Sequence, residues 1–139
     1  FRLKITGCDI DNYLLCKNPF KKQTNVSKIP FKSKSFDVAM FNDVLHHTPS
    51  ENQIKILKDA LRVADQVLIF EVKPKLLSKM SDYLINKIHY WTLDIPFTFR
   101  EVKDWQNLFR KLGVRVETID VKRPFLYPFS HIAFRLLRE

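Results

Sequence analysis

The stretch IPFKSKSFDVAMFNDVLHH, Ile29 to His47, decides the fold. An apolar start leads through a basic turn into an apolar run, SFDVAMFNDVL, which reads as a strand buried on both faces through about Asn42. The run then breaks into Asn42, Asp43, His46 and His47. Polar and titratable residues at the carboxyl end of a buried strand are where an open α/β sheet binds its ligands.

Outward from this stretch the chain alternates. RLKITGCD reads as a strand ending at Asp9, and residues 11–18 as a short helix closed by Asn18-Pro19. Residues 20–28 read as an edge strand. After His47, Thr48 as cap, Pro49 as first helical residue and Glu51 three places after the cap open a helix. Its expected buried stripe is Ile54, Leu57, Leu61 and Ala64. QVLIFEV, ending near Glu71, is a second buried strand. Residues 75–91 form a helix whose expected buried stripe is Leu76, Leu77, Met80, Leu84 and Ile88. Residues 100–112 form another, stopped by Gly113, with Trp105 on its apolar stripe. VRVETIDV is a half-exposed strand. SHIAFRLLRE is a final strand, with a terminal amphipathic helix as the alternative. This alternation predicts a Rossmann-like, mainly parallel sheet with helices on both faces and an antiparallel last strand.

Composition narrows the class. The 139 residues, 45% hydrophobic and 28% charged, fit one globular domain. No apolar run approaches the ~20 residues of a membrane-spanning helix. Cys8 and Cys16 have no metal-ligand spacing and read as free thiols in a reducing cytoplasm. The net charge is +9, and six lysines without one acid lie between Asp11 and Asp37. Such a run attracts anionic partners or forms a solvated surface. It lacks the interleaved arginines and aromatics of a nucleic-acid interface.

His46 and His47 have three readings. One packs and hydrogen-bonds at the strand-to-helix turn, one faces substrate as a base, or both hold a metal. Adjacent histidines point in different directions, and no third ligand stands at a suitable spacing, so no metal is expected. His89, Tyr90 and Trp91 cluster before the late helix.

Three stretches resemble a family. ITGCDID is similar to the second strand of class I S-adenosylmethionine-dependent methyltransferases of the type 11 group. NVSKIPFKSKSFDVAMFNDVLHH is similar to their Leu-Pro-Phe, Ser-Phe-Asp and Asp-Val-Leu-His-His segment. TFREVKDWQNLFRKLGVRV is similar to their late helix. The resemblance runs from about Leu3 to Arg138. It implies S-adenosyl-L-methionine as cofactor, with Asp9 accepting the two ribose hydroxyls and Ile10 packing on the adenine. Asn25, standing where the family usually has Asp, and Val26 would meet the adenine. Asn42 and Asp43 would border the methionine part, with His46 and His47 as weak catalytic candidates, and His89, Tyr90 and Trp91 would lie in the region that in the family often forms a cover over the substrate.

The family's first strand and glycine-rich loop have no counterpart, since the only glycines are Gly7 and Gly113. Residues 1–139 are therefore expected to be one N-terminally incomplete domain, inactive alone. A small-molecule or lipid-like acceptor is the leading expectation. The alternatives are an RNA or other nucleic-acid methyltransferase and a non-catalytic binding or scaffold module. Against nucleic acid, the strand end reads NDVL and carries no Asn/Asp-Pro-Pro-Tyr/Phe signature.

Overall fold

The structure, a computed structural model, describes residues 3–12, 17–89 and 96–138. Its elements are β1 (Gly7–Asp9), β2 (Phe20–Lys22), β3 (Phe36–Asn42), α1 (Ser50–Val63), β4 (Ala64–Val72), α2 (Leu76–His89), α3 (Val102–Arg110), β5 (Val114–Asp120) and β6 (His131–Arg138). β1 and β2 form a parallel pair. The larger sheet has the order β3-β4-β6-β5. β3 and β4 are parallel, and β6 runs antiparallel to both of its neighbours. The Rossmann-like expectation holds, and the final segment is the antiparallel strand rather than the helix.

The core follows from which strands are interior. β4 has a neighbour on each side and hides Val67, Ile69, Glu71 and Val72. β6 adds Phe134 and Leu136, and α3 adds Trp105, Leu108 and Phe109. Phe109 meets Phe134 edge-on with ring centroids 5.1 Å apart and stacks on Trp105 at 5.7 Å. Each such side chain contributes ~1.5–3 kcal/mol by leaving water. Gly113 adopts φ +63° after α3, so it ends that helix as its sequence position foretold.

Four sequence expectations need correction. β3 is an edge strand of the larger sheet, and its Val38 and Met40 are exposed rather than buried on both faces. α1 begins one residue late: Pro49 is its N-cap, and the Thr48 hydroxyl donates back to the Val44 carbonyl. A 3-10 turn at Leu45–His47 takes up the residues before it and displaces the start. Its buried stripe is Ile56, Leu57, Ala60 and Leu61, with Ile54 half-buried. Ala64 opens β4, so helix passes into strand with no loop between them.

The fourth correction is the largest. Leu76, Leu77, Met80, Leu84 and Ile88 of α2 are exposed, Leu76 at 76%. The helix turns Ser78 and Asp82 inward instead. Periodicity marked the apolar stripe correctly but could not say which side faces the sheet. Of the remaining expectations, residues 13–16 of the 11–18 helix and Tyr90 and Trp91 of the cover lie outside the described residues. Asp11, Asn12, Lys17 and Asn18 belong to no regular element.

Candidate active site

A cleft of about 730 Å³ opens between the β1–β2 pair and the edge of β3. Asp9, Ile10 and Val26 line one wall; Met40, Asp43 and His47 line the other. Five of the eight site residues expected from sequence thus meet around one cavity. Asn25, Asn42 and His46 are not among its lining. The Asn25 side-chain oxygen accepts the Ser27 N–H at 2.8 Å, closing a local turn, and Asn42 is exposed.

The wall at Asp9 is built by strand geometry. β1 ends there, and the Asp9 carbonyl accepts the Gln23 N–H at 2.7 Å. One carboxylate oxygen accepts the Ile10 N–H, also at 2.7 Å. Burial pushes the Asp9 carboxyl above its ordinary value, while the Ile10 N–H pulls it down and Asp11 raises it. A half-buried carboxylate at a strand end is an acceptor for paired hydroxyl donors.

The opposite wall turns sharply. Asp43 adopts φ +52°, a left-handed conformation that Asp tolerates better than most residues, and so turns the chain away from β3. Its N–H donates to the Phe70 carbonyl at 2.9 Å, and its Oδ2 lies 3.1 Å from Nε2 of His131. Burial raises the Asp43 carboxyl; His131 opposes that, and Glu71 adds to it.

Behind the cleft lies a buried polar network. Glu71, 1% exposed, accepts the N–H groups of Val44 and Leu45 through Oε1 and meets Nδ1 of His46 through Oε2 at 2.6 Å. This one carboxylate fixes the β3-to-α1 turn against β4. His46 stacks on Phe99 at 4.8 Å, and its carbonyl accepts the Thr98 N–H at 2.7 Å. Gln53 locks the same layer, donating to the Leu45 carbonyl and the Thr98 hydroxyl, both at 2.8 Å.

The two histidines differ in charge. Burial would lower His46, but hydrogen bonds and charge from Asp82 and Glu71 outweigh it and push it up to about 9. Burial and the neighbouring His46 charge push His47 down to about 4. Their rings are 4.0 Å apart, so a charge on His46 opposes a second charge on His47. His46 is sealed from the cleft and cannot touch an acceptor there; His47 borders it.

Sequence reading missed Asp82 and His131 as members of this network. Asp82 sits on the polar side of α2, which was expected to face water. His131 opens β6 opposite Val72, a pairing that no local pattern reveals. Glu71 did carry a signal, a charge at the end of a continuous apolar strand. Trp105 is 1% exposed in the core, in line with its place on the α3 stripe.

Residues 1–68 match the methyltransferase domain family. A polyketide synthase-nonribosomal peptide synthetase of Talaromyces wortmannii is 27% identical over 129 residues, which are 85% of this chain and 4% of that one. The magnesium protoporphyrin IX methyltransferase of Synechocystis PCC 6803, crystallised with S-adenosylhomocysteine, superposes with a TM-score of 0.57 at 17% identity, over 88% of this chain and 52% of its own. An S-adenosylmethionine-dependent methyltransferase of Methanosarcina mazei gives 0.63 at 17% identity, over 96% and 81%. The chain thus spans a small part of the synthetase and about half of the porphyrin enzyme. At these identities the structural likeness is one of fold.

Proposed function

We infer that this chain, a class I methyltransferase-fold domain whose first half matches the methyltransferase family, serves S-adenosyl-L-methionine-dependent methyl transfer to a small-molecule or lipid-like acceptor. The observation that carries the reading is the cleft with Asp9 on one wall and Asp43 and His47 on the other. In this reading Asp9 accepts the ribose hydroxyls, Ile10 and Val26 flank the adenine, and the Asp43 turn borders the reacting end. Asn25 and Asn42 contribute through backbone placement.

The cofactor supplies an electrophilic methyl on sulfur. The acceptor atom forms a bond to that carbon as the carbon–sulfur bond breaks, S-adenosylhomocysteine leaves, and the acceptor sheds its proton to solvent or base. A displacement of this kind depends chiefly on alignment, which a walled cleft provides. The porphyrin named for one structural neighbour and the polyketide–peptide chemistry named for the synthetase favour a small acceptor. No helix among the described residues is long and apolar enough to cross a membrane. Cytoplasmic placement is part of the same proposal, supported by the free thiol of Cys8.

The test is binding and transfer together. Calorimetry of the full-length protein that carries this chain should show saturable S-adenosylhomocysteine binding, and residues 1–139 alone should bind poorly. Labelled S-adenosylmethionine should mark acyl or tetrapyrrole acceptors of the full-length protein in preference to tRNA and duplex DNA. The +9 charge gives nucleic acid its one advantage. Tight tRNA or DNA binding that falls steeply across ~50–200 mM salt, together with label on the nucleic acid, would reverse the acceptor assignment. Absence of cofactor binding would leave a non-catalytic module.

A further inference from the structure

The buried side-chain atoms without a hydrogen-bond partner, among the described residues, are Asp43 Oδ1, His46 Nε2, His47 Nδ1 and Asp82 Oδ2. Buried polar atoms are normally paired. Two of these, His46 Nε2 and Asp82 Oδ2, face one another at 3.5 Å.

Against the expectation from sequence that no metal binds here, we propose that His46, His47 and Asp82 form a binding site for a divalent transition-metal ion of the zinc type, with Asp82 as the third ligand that spacing along the chain did not reveal. Each offers one ligand atom, and the three atoms lie within 4.8 Å of one another. Asp82 Oδ2 is 3.5 Å from His46 Nε2, and Asp82 Oδ1 is 3.8 Å from His47 Nε2. Two ligands each ~2.0–2.1 Å from a tetrahedral zinc stand roughly 3.3–3.4 Å apart. Each Asp82 oxygen therefore stands a few tenths of an ångström beyond that spacing from one imidazole, while the set of three ligand atoms lies within 4.8 Å, and side-chain rotation would draw it together.

The surroundings fit the same chemistry. A ligating histidine characteristically donates its other ring N–H to a carboxylate, which fixes its tautomer and orientation. His46 has that arrangement, with Nδ1 on Glu71 at 2.6 Å and Nε2 left over, pointing toward Asp82. Glu71 is itself held by two backbone N–H groups. Asn86 donates to Asp82 Oδ1 at 3.2 Å and orients that carboxylate one turn along α2.

The site also accounts for the reversed face of α2. A helix that exposes Leu76, Met80 and Leu84 while burying Asp82 spends apolar surface to place a carboxylate against two imidazoles. Two nitrogens and one oxygen leave a fourth tetrahedral position open. His47 borders the cleft, so that position can reach an oxygen atom of a bound molecule. Binding displaces any proton on the ligand nitrogen to solvent.

The experiment reads metal directly and does not depend on methyl transfer. The full chain is stripped with chelator, dialysed and titrated with Zn²⁺ against a chromophoric competitor. One equivalent should bind. Asp82→Asn, which keeps the side-chain shape, should lose at least tenfold in affinity with an unchanged far-UV circular dichroism spectrum. Glu71→Gln, removing the carboxylate behind His46, should cost ~10–100-fold. Cys8→Ser should bind like the wild type, which separates this site from the thiol. Co²⁺ in place of Zn²⁺ should give the visible absorption of a tetrahedral nitrogen–oxygen site in wild type but not in Asp82→Asn. No stoichiometric Zn²⁺ in the wild type, or equal binding by a folded Asp82→Asn, would overturn the proposal and leave a water-linked hydrogen-bond network.

Discussion

Asp59 and Arg62, one turn apart on α1, meet through two bonds: Nε to Oδ1 at 2.6 Å and Nη2 to Oδ2 at 2.9 Å. Together they grip the segment that enters β3. Asp59 Oδ2 accepts the Ile29 N–H at 2.6 Å, and Arg62 donates to the carbonyls of Phe31 and Ile29 at 2.8 and 3.0 Å. Ile29 and Phe31 line the cleft, so a helix-borne ion pair sets one of its walls.

This clamp gives a pH dependence with a definite sign. The Arg62 hydrogen bond holds the Asp59 carboxyl below its ordinary value, against a smaller opposing effect of burial. A depressed carboxyl stabilises the fold above the unfolded-state value of about 3.9 and loses that contribution as pH falls through the folded-state value. Asp59→Asn should therefore lower the urea midpoint at pH 7, by about 1–2 kcal/mol in stability. The gap between variant and wild type should shrink below about pH 4. A gap that is constant from pH 7 to pH 2.5 would contradict the charge-based account.

Asp9→Ala should weaken S-adenosylhomocysteine binding to the full-length protein by about 1.5–3 kcal/mol, the worth of hydrogen bonds to a charged group. Lys103→Ala, at an exposed position of α3 outside the cleft lining, serves as the comparison. Equal affinity of wild type and Asp9→Ala in calorimetry would remove Asp9 from the cofactor site.

The two apolar stripes of α1 and α2 should respond oppositely to truncation. Leu57→Ala empties a fully buried position and should cost about 2–5 kcal/mol. Leu84→Ala acts at a side chain that is 60% exposed and should stay within about 0.5 kcal/mol. Comparable losses at both sites in denaturant unfolding would mean that α2 packs by its apolar side after all.

Gly113→Ala isolates backbone strain. A Cβ added there meets nothing within 4 Å, so packing is not at issue, but the φ of +63° disfavours any L side chain. About 1–2 kcal/mol of stability should be lost. A neutral result would show that the end of α3 relaxes to another conformation.

What the sequence disclosed follows a physical division. Features fixed by neighbours in the chain were readable: the strand ending at Asp9, the apolar run of β4, the stop at Gly113, the alternation of β5. The cleft walls were readable too, because Asp9 and Asp43 stand at strand ends, although the two strands belong to separate sheets. The face of α2 was not. A helix stripe of Leu76, Met80 and Leu84 is equally consistent with packing inward or outward, and the choice rests on Asp82 meeting histidines 35 residues earlier. His131 was hidden for the same reason, since its partner Asp43 is 88 residues away. The edge position of β3 likewise depends on which strands lie beside it, and residue type does not record that.

The order β3-β4-β6-β5 has a consequence for synthesis. β6 joins β4 to β5, yet it is the last of the three to leave the ribosome. β5 emerges before it and has no sheet neighbour until His131–Arg138 follows. Meanwhile one edge of β4 stays open, because its partners there lie 59 to 71 residues downstream, from Val72↔His131 to Gln66↔Leu137. Pairings so distant in sequence close slowly. A nascent chain halted before His131 therefore presents two unpaired strand edges, the kind of surface to which chaperones and other unfinished chains adhere.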